Sequence, residues 1–591
     1  MNIQEMDILK ILAHTPYTTQ RNLSDLSGHS LGIVNRSLKA LERDGLIDDS
    51  FALTKRAAAL QEDSTPRRAV ILAAGYGMRM VPINTEVPKA FLEVRGELLI
   101  ERQIRFLLEA GITDITVVVG FMKEAFDYLV DTYGVTLIVN PEYSEKNNLH
   151  SLFLARKKLE NAYILPSDLW CRDNPFSQTE FYSWYSVTEK PCPGSLFRIN
   201  RNRELVQVSD HETGCRAIGI SYLTKDDAGK VCSALESLDA NPYYKDAFWE
   251  ETLFHKDRLI LPARILNDSD VIEINTYEQL REFDQNSGHL KSDAIKVIEE
   301  ALGVSGEDIK NISVIKKGMT NRSFLFSCKG VRYIMRIPGE GTDQLINRRE
   351  EACVYQLIKD KALCDDVIYI SPETGYKITR YIENPRVCDP ASESDVKKCM
   401  KRLKAFHAMK LKVDHTFDIF EKIDFYESLW QGQPSVYRDY KETKAHVLAL
   451  KDFIDSLETE KVLTHMDAVA DNFLIARDAF GNADIRLIDW EYASLQDPHV
   501  DIAMFAIYAM YDKEDVDRLI DIYFENACDP LTRAKIYAYI AACGLLWSNW
   551  CEYKYHLGIE FGAYSLKQYR FAKDYYTYTL DILSDREVHH V

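Results

Sequence analysis

Two polar stretches, Gln61–Arg68 with Pro66 inside it and Asp284–Lys291, break this chain into three segments with different hydrophobic patterns. Its 591 residues exceed what one core can serve, since single cores stop growing at about 250–300 residues. The breaks set the segments at 1–62, 68–286 and 292–591. In the first, Asp7–Leu12 and Asn22–Leu26 suit two helices. A third, capped by Ser30, runs through Val34, Leu38 and Leu41 and stops at Gly45. Leu46–Thr54 reads as a short hairpin. The second segment starts with the buried strand Ala69–Leu72 and a glycine loop. A helix near Ile100–Ala110, the strand Ile115–Val119, a helix near Glu124–Tyr133 and the strand Val135–Val139 come next. That alternation predicts a helix-covered sheet with parallel strands. The third segment opens with a helix, continues with strands at Ile312–Ile315, Phe324–Cys328 and Val331–Ile337 and the helix Arg348–Lys359, and is then mostly helical.

Composition narrows the classes. Hydrophobic residues make up 46% and charged ones 28%, as in ordinary globular proteins, and the formal charge of −19 argues against a large nucleic-acid footprint or a polybasic membrane anchor. No apolar run reaches the ~20 residues that a bilayer demands, and Met1–Asp7 lacks the pattern of a signal peptide, so a cytoplasmic protein without membrane insertion is expected. The 12 cysteines are scattered, as small buried hydrophobes in a reducing compartment would be.

The chemistry sits in two places. Leu72-Ala-Ala-Gly-Tyr-Gly-Met-Arg79 follows a strand: Gly75 and Gly77 let the backbone of Leu72, Ala73 and Ala74 turn against triphosphate oxygens, and Arg79 adds charge. Lys89 follows in Val87-Pro-Lys-Ala90. Far downstream, His465-Met-Asp-Ala-Val-Ala-Asp-Asn472 and Ile488-Asp-Trp-Glu491 have the spacing of a phosphotransferase loop. Asp467 would accept a hydroxyl proton, while Asn472 and Asp489 would hold Mg²⁺ on the β- and γ-phosphates of ATP. His465 is read as orienting that loop, and Lys316–Phe324 as covering the nucleotide.

The first motif, with Pro88-Lys89 and the Leu99-Ile-Glu helix, resembles the nucleotidyltransferases of the nucleoside-diphosphate-sugar pyrophosphorylase type. Val119–Tyr128, Asn140–Tyr143 and Asn147–Ser151 bring it closest to the bacterial CTP:phosphocholine cytidylyltransferases. The resemblance implies a Rossmann-like mixed sheet, CTP as co-substrate, Arg79 and Lys89 as catalytic cations, and a Mg²⁺ site at Asp168 and Asn275. Two departures stand out: Pro166 replaces a second acid, and Asn275 takes the place of an expected Asp. Trp249 and Glu250 are the candidate aromatic and acidic wall for the substrate.

The third segment is similar to the choline kinase family, including Thr374–Ile382 and Asp489-Trp-Glu-Tyr492. That likeness implies a two-lobed protein-kinase-like α+β domain with Arg336 as the phosphate-pairing cation. Glu350 or Glu351 is its ion-pair partner; Glu350 is the one assigned. A quaternary ammonium has no N–H, so aromatic faces must recognise it. Trp547 and Trp550 share one helix face, and Tyr511 or Tyr508 would complete the cage, with Tyr511 preferred. Ile559–Gly562 resembles the segment after the paired tryptophans of that family.

Three helices and a wing resemble the winged-helix family. Arg36, Lys39 and Arg43 align on the third helix, as a DNA contact would need, yet residues 1–60 hold seven Lys/Arg against seven Asp/Glu and lack a basic excess. The expected activity is two consecutive steps on choline and phosphocholine. Another alcohol, or a regulator with ligand-sensing domains, stays open, as do homo-oligomers.

Overall fold

The computed structural model describes residues 1–591 except 78–79, 84–86, 209–211, 256–258, 316–320, 340–345, 478–482, 557–559 and 590–591. It divides into two compact units, Met1–Lys296 with Ile312–Val314, and Val297–Asn311 with Ile315–Val591.

In the first unit, helices α1 (Ile3–His14), α2 (Gln20–Ser27) and α3 (Leu31–Arg43) close around Ile8, Leu9, Leu23, Val34, Leu38 and Leu41. The hairpin contracts to one bridge, Ile47 to Leu53. The chain then forms α4 (Lys55–Asp63), capped by Thr54, which extends into the stretch read as linker; Ala57 and Leu60 pack on the small core and stabilise it.

The sheet beyond is built on β1 (Arg68–Ala73), β2 (Asp114–Val119), β3 (Thr136–Val139) and β4 (Ala162–Pro166), all parallel. After the short β5 (Leu169–Cys171) come β6 (Trp184–Cys192), β7 (Gly214–Leu223) and β8 (Ala263–Ile265). The seven-stranded order is β8-β6-β7-β4-β1-β2-β3, with β7 antiparallel to both neighbours, so the sheet is mixed. The run Val70-Ile-Leu-Ala and its neighbours are buried because helices such as α5 (Leu99–Glu109) lay apolar faces on them. A separate pair, β5 with β9 (Val271–Glu273), sets Glu273 opposite Leu169.

In the second unit, β10 (Asn321–Cys328), β11 (Val331–Pro338), β13 (Lys377–Arg380) and β12 (Val367–Ile370) lie side by side, antiparallel. Helix α10 (Arg348–Ile358) follows β11. The helical part is organised on α13 (Pro530–His556), buried on every side from Ala534 to Leu546, and on α14 (Ala563–His589). A helix apolar all round belongs at a centre. Two short pairs carry the chemistry: β14 (Val462–Thr464) with β17 (Ser494–Gln496), and β15 (Phe473–Arg477) with β16 (Ala483–Leu487). Thr464 faces Ser494 and Phe473 faces Leu487, so loops 465–472 and 488–493 meet at one end.

All 12 cysteines are free thiols, and among the described residues no helix is long and apolar enough to cross a membrane.

Candidate active sites

The glycine loop leaves β1 at the C-terminal edge of the parallel strands, where open α/β sheets receive ligands. Its path is fixed by backbone bonds: Ser167 N–H donates to the Leu72 carbonyl, and Phe121 N–H to that of Ala74. Gly120 allows the approach, since a Cβ there would lie 2.8 Å from the Ala74 oxygen. Gly77 is left-handed (φ 63°), and a Cβ on it would meet the Lys89 Cβ at 3.3 Å. Gly75 is exposed. Arg79 lies outside the described residues.

Lys89 starts the short turn Lys89–Phe91 and is half-buried. Its ammonium donates to Asp168 Oδ2 and, at 2.7 Å, to Asn275 Oδ1. The β5–β9 pair makes this possible, because Ile274 N–H binds the Asp168 carbonyl and brings Asn275 alongside. Asn275 is steadied by its own N–H on Gln279 (2.7 Å) in the capping box of the helix Tyr277–Phe283. Asp168 Oδ1 is buried without a partner. That orphan oxygen beside an amide carbonyl is a hard-oxygen donor set, which fits Mg²⁺.

Trp249 departs from its expected role. It is 1% exposed, packed against Tyr185 in the core, and so is a structural residue rather than a pocket wall. Glu250 is buried too. It accepts the Tyr185 hydroxyl at 2.7 Å, its second oxygen lacks a partner, and burial pushes it up to about 7.

In the second unit, Asp501, on helix α12 (His499–Tyr508), clamps the catalytic loop. It accepts the N–H groups of His465 (2.9 Å) and Met466 (2.8 Å) and lies 2.9 Å from His407 Nε2. His465 is fully buried, with Nε2 3.0 Å from the Ile488 carbonyl, and so ties the two loops together; burial lowers its pKa. Met466 (φ 63°) and Asp489 (φ 68°) are both left-handed, a strain that surrounding bonds must hold. Asn472 donates to Asp467 Oδ2 at 3.0 Å, which turns its amide oxygen away for a cation. Burial, and then the Asp489 charge, push Asp467 up to about 7. The same two causes push Glu491 up to about 8. Asn472 with Asp489 offers the oxygen chemistry Mg²⁺ prefers.

Arg336 is 5% exposed and forks onto Glu351 (2.5 and 2.9 Å), with Asp489 at 3.8 Å. Its partner is therefore Glu351 and not Glu350. Adjacent helix positions point about 100° apart. Glu351 falls on the buried face of α10, whereas Glu350 uses its backbone N–H on the Asn347 cap. Asn321, on β10, also reaches Glu491 at 2.9 Å.

Trp547 and Trp550 meet edge to face at 5.4 Å, and Trp550 packs on Phe561 at 5.1 Å. Tyr564 continues the row, its ring 6.5 Å from that of Phe561. Tyr508 faces Tyr564 at 6.4 Å and donates to Asp471. Tyr511 is not in this row: its hydroxyl donates to the Pro390 carbonyl at 2.5 Å. Tyr508 ends α12 whereas Tyr511 lies beyond it, so the two rings leave the chain in different directions. Tyr564 escaped the sequence reading, because nothing local marks it.

Over residues 69–179 the chain matches the MobA-like NTP transferase domain, over 312–571 choline/ethanolamine kinase, and over 1–48 the winged helix-turn-helix DNA-binding family. It is 34% identical over 224 residues to the choline-phosphate cytidylyltransferase of Streptococcus pneumoniae, covering 37% of this chain and 97% of that protein. The chain belongs to the choline-phosphate cytidylyltransferase family. It joins that cytidylyltransferase to a kinase domain and a winged helix, so both larger domains are enzymatic. The 2-aminoethylphosphonate cytidylyltransferase of Lancefieldella rimae is 29% identical over 230 residues, 38% of this chain and 94% of that one. A solved choline kinase, LicA from Streptococcus pneumoniae, aligns with 28% identity and a TM-score of 0.42, over 48% of this chain and 99% of that one.

Proposed function

We propose that residues 292–591 phosphorylate choline with ATP and residues 68–286 transfer CMP from CTP to the phosphocholine formed, giving CDP-choline and pyrophosphate. The observation that carries the first step is the aromatic row Trp547, Trp550, Phe561, Tyr564, Tyr508, whose last hydroxyl donates to Asp471 on the loop of Asp467. Aromatic faces attract a quaternary ammonium at about 0.5–2 kcal/mol each. A choline held there presents its hydroxyl to Asp467, whose pKa near 7 suits a base at neutral pH. The hydroxyl proton goes to Asp467, the oxygen bonds to the γ-phosphorus, and ADP leaves. Arg336, fixed by Glu351, pairs nucleotide phosphates.

For the second step, the phosphate oxygen of phosphocholine attacks the α-phosphorus of CTP and pyrophosphate departs. Lys89 supplies charge where it accumulates. Asp168 with Asn275, and Asn472 with Asp489, would hold Mg²⁺, which when bound offsets repulsion between phosphates. The pneumococcal relative supports phosphocholine as acceptor.

A second reading, another phosphorylated amine or an aminophosphonate at the front site, is favoured by the burial of Trp249 and by the aminoethylphosphonate relative. The test is purified chain with ATP, CTP and Mg²⁺ offered choline, ethanolamine, sugars, phosphocholine and 2-aminoethylphosphonate, with products read by mass spectrometry. CDP-choline from choline, only when both nucleotides are present, is expected. Choline left unconsumed would sink the first step, and CMP transfer to the phosphonate but not to phosphocholine would establish the second reading.

A further inference from the structure

The winged-helix segment is fastened to the transferase sheet by buried charges. Glu180 exposes none of its side chain. It receives a fork from Arg264 (3.1 and 2.9 Å), the Lys10 ammonium at 2.8 Å and the Tyr163 hydroxyl at 2.9 Å. Lys10 lies on α1. On the same helix Asp7 accepts the Tyr182 hydroxyl at 2.7 Å and stands 2.9 Å from His29 Nε2, just before the cap of α3. Asp7, Lys10, Glu180 and Arg264 form a balanced set of two acids and two bases. Burial works to raise Glu180, but Arg264 and Lys10 more than reverse it, leaving it below the usual carboxylate range.

The partners of Glu180 occupy telling positions. Tyr163 is on β4, which ends at Pro166, two residues before Asp168. Arg264 is on β8, and the chain runs from there through β9 to Asn275. One carboxylate thus joins α1 to both stretches whose ends meet on Lys89. Taking Lys10 away removes one of the two cations on this buried carboxylate and cuts its tie to α1, which loosens what Glu180 holds.

We propose that Lys10 is a positioning residue for cytidylyl transfer: from the winged helix it completes the Glu180 cluster and fixes the strands that carry Asp168 and Asn275. Segment 1–62 is then a working part of that site. The proposal rests on the cytidylyltransferase reading of residues 68–286.

The test uses the full chain with Lys10→Met and Lys10→Arg. Amide hydrogen exchange over 162–169 and 271–276 should accelerate about tenfold in K10M and return towards wild type in K10R. In K10M, kcat for CMP transfer from CTP to phosphocholine should fall about tenfold, with KM for CTP within about twofold and the ATP-dependent kinase rate unchanged. Unchanged exchange in both stretches overturns the proposal, as does faster exchange with full kcat. Equal losses in K10M and K10R also overturn it, since they would mark bulk rather than charge. The exchange result is read even if phosphocholine proves not to be the acceptor, so the two readings fail separately.

Discussion

The two candidate sites arrange their own charges in opposite ways. In the kinase unit the cations are already committed. Arg336 and Arg348 both bind Glu351 and lie 3.9 and 3.7 Å from Glu491, and burial, then the Asp489 charge, drives Asp467 to about 7 and Glu491 to about 8. In the transferase unit, among the described residues, the Lys89 ammonium bridges one acid and one amide. A guanidinium fork is a rigid fixture, whereas an ammonium on a four-carbon stem is a movable point charge. The kinase loop is therefore a buried acidic cup, and in the transferase unit the charge between Asp168 and Asn275 sits on a movable stem.

The strongest way to break this comparison is Asp467→Asn, expected to lower kinase kcat about 10³-fold while CMP transfer to supplied phosphocholine continues, both read by ³¹P NMR. In the wild type, kinase kcat/KM should fall about tenfold per pH unit below about 7, where Asp467 takes up its proton, and D467N should lose that limb. The sign for stability is opposite. The folded carboxyl binds its proton more tightly than an unfolded Asp near 3.9. Its contribution to stability is thus complete below about 4 and lost as pH rises to about 7. At pH 8 D467N should melt higher than wild type; a lower melting temperature would contradict the buried acidic cup.

Next in size, Lys89→Met should reduce CMP transfer about 10²-fold and spare the kinase. Transfer above a tenth of the wild-type rate would mean that Lys89 is only a structural bridge. Glu351→Gln should destabilise the kinase unit by about 2 kcal/mol in urea titration and slow phosphorylation, whereas Glu350→Gln should match wild type. Equal effects would return the pairing to Glu350. The smallest effect separates the aromatics: Trp547→Ala should raise KM for choline about tenfold, and Tyr511→Phe should leave it within about twofold. A larger shift for Y511F would move the cage towards Pro390.

Legibility in sequence followed chain distance. His465, Asp467 and Asn472 share one loop and Asp489 lies one hairpin away, so their spacing can be read directly along the chain. The glycine loop is legible for the same reason, as a strand followed by Gly75 and Gly77. Errors appeared wherever a choice depended on helical phase or burial. Glu351 and Glu350, or Tyr508 and Tyr511, are equivalent as letters and differ only in which face a core covers. Trp249 read as a ligand wall because the sequence does not say that Tyr185 packs on it.

By itself, then, the sequence determined a winged helix, a nucleotidyltransferase and a kinase domain, the two larger ones enzymatic, since strand and helix periods and the residue types that phosphate transfer demands are local properties. Only the tertiary structure decided that Lys89 spans Asp168 and Asn275, that Glu351 holds Arg336, and that Glu180 binds the winged helix to the sheet. Those contacts join residues far apart in the chain, and the energy of a buried charge depends on every element packed around it.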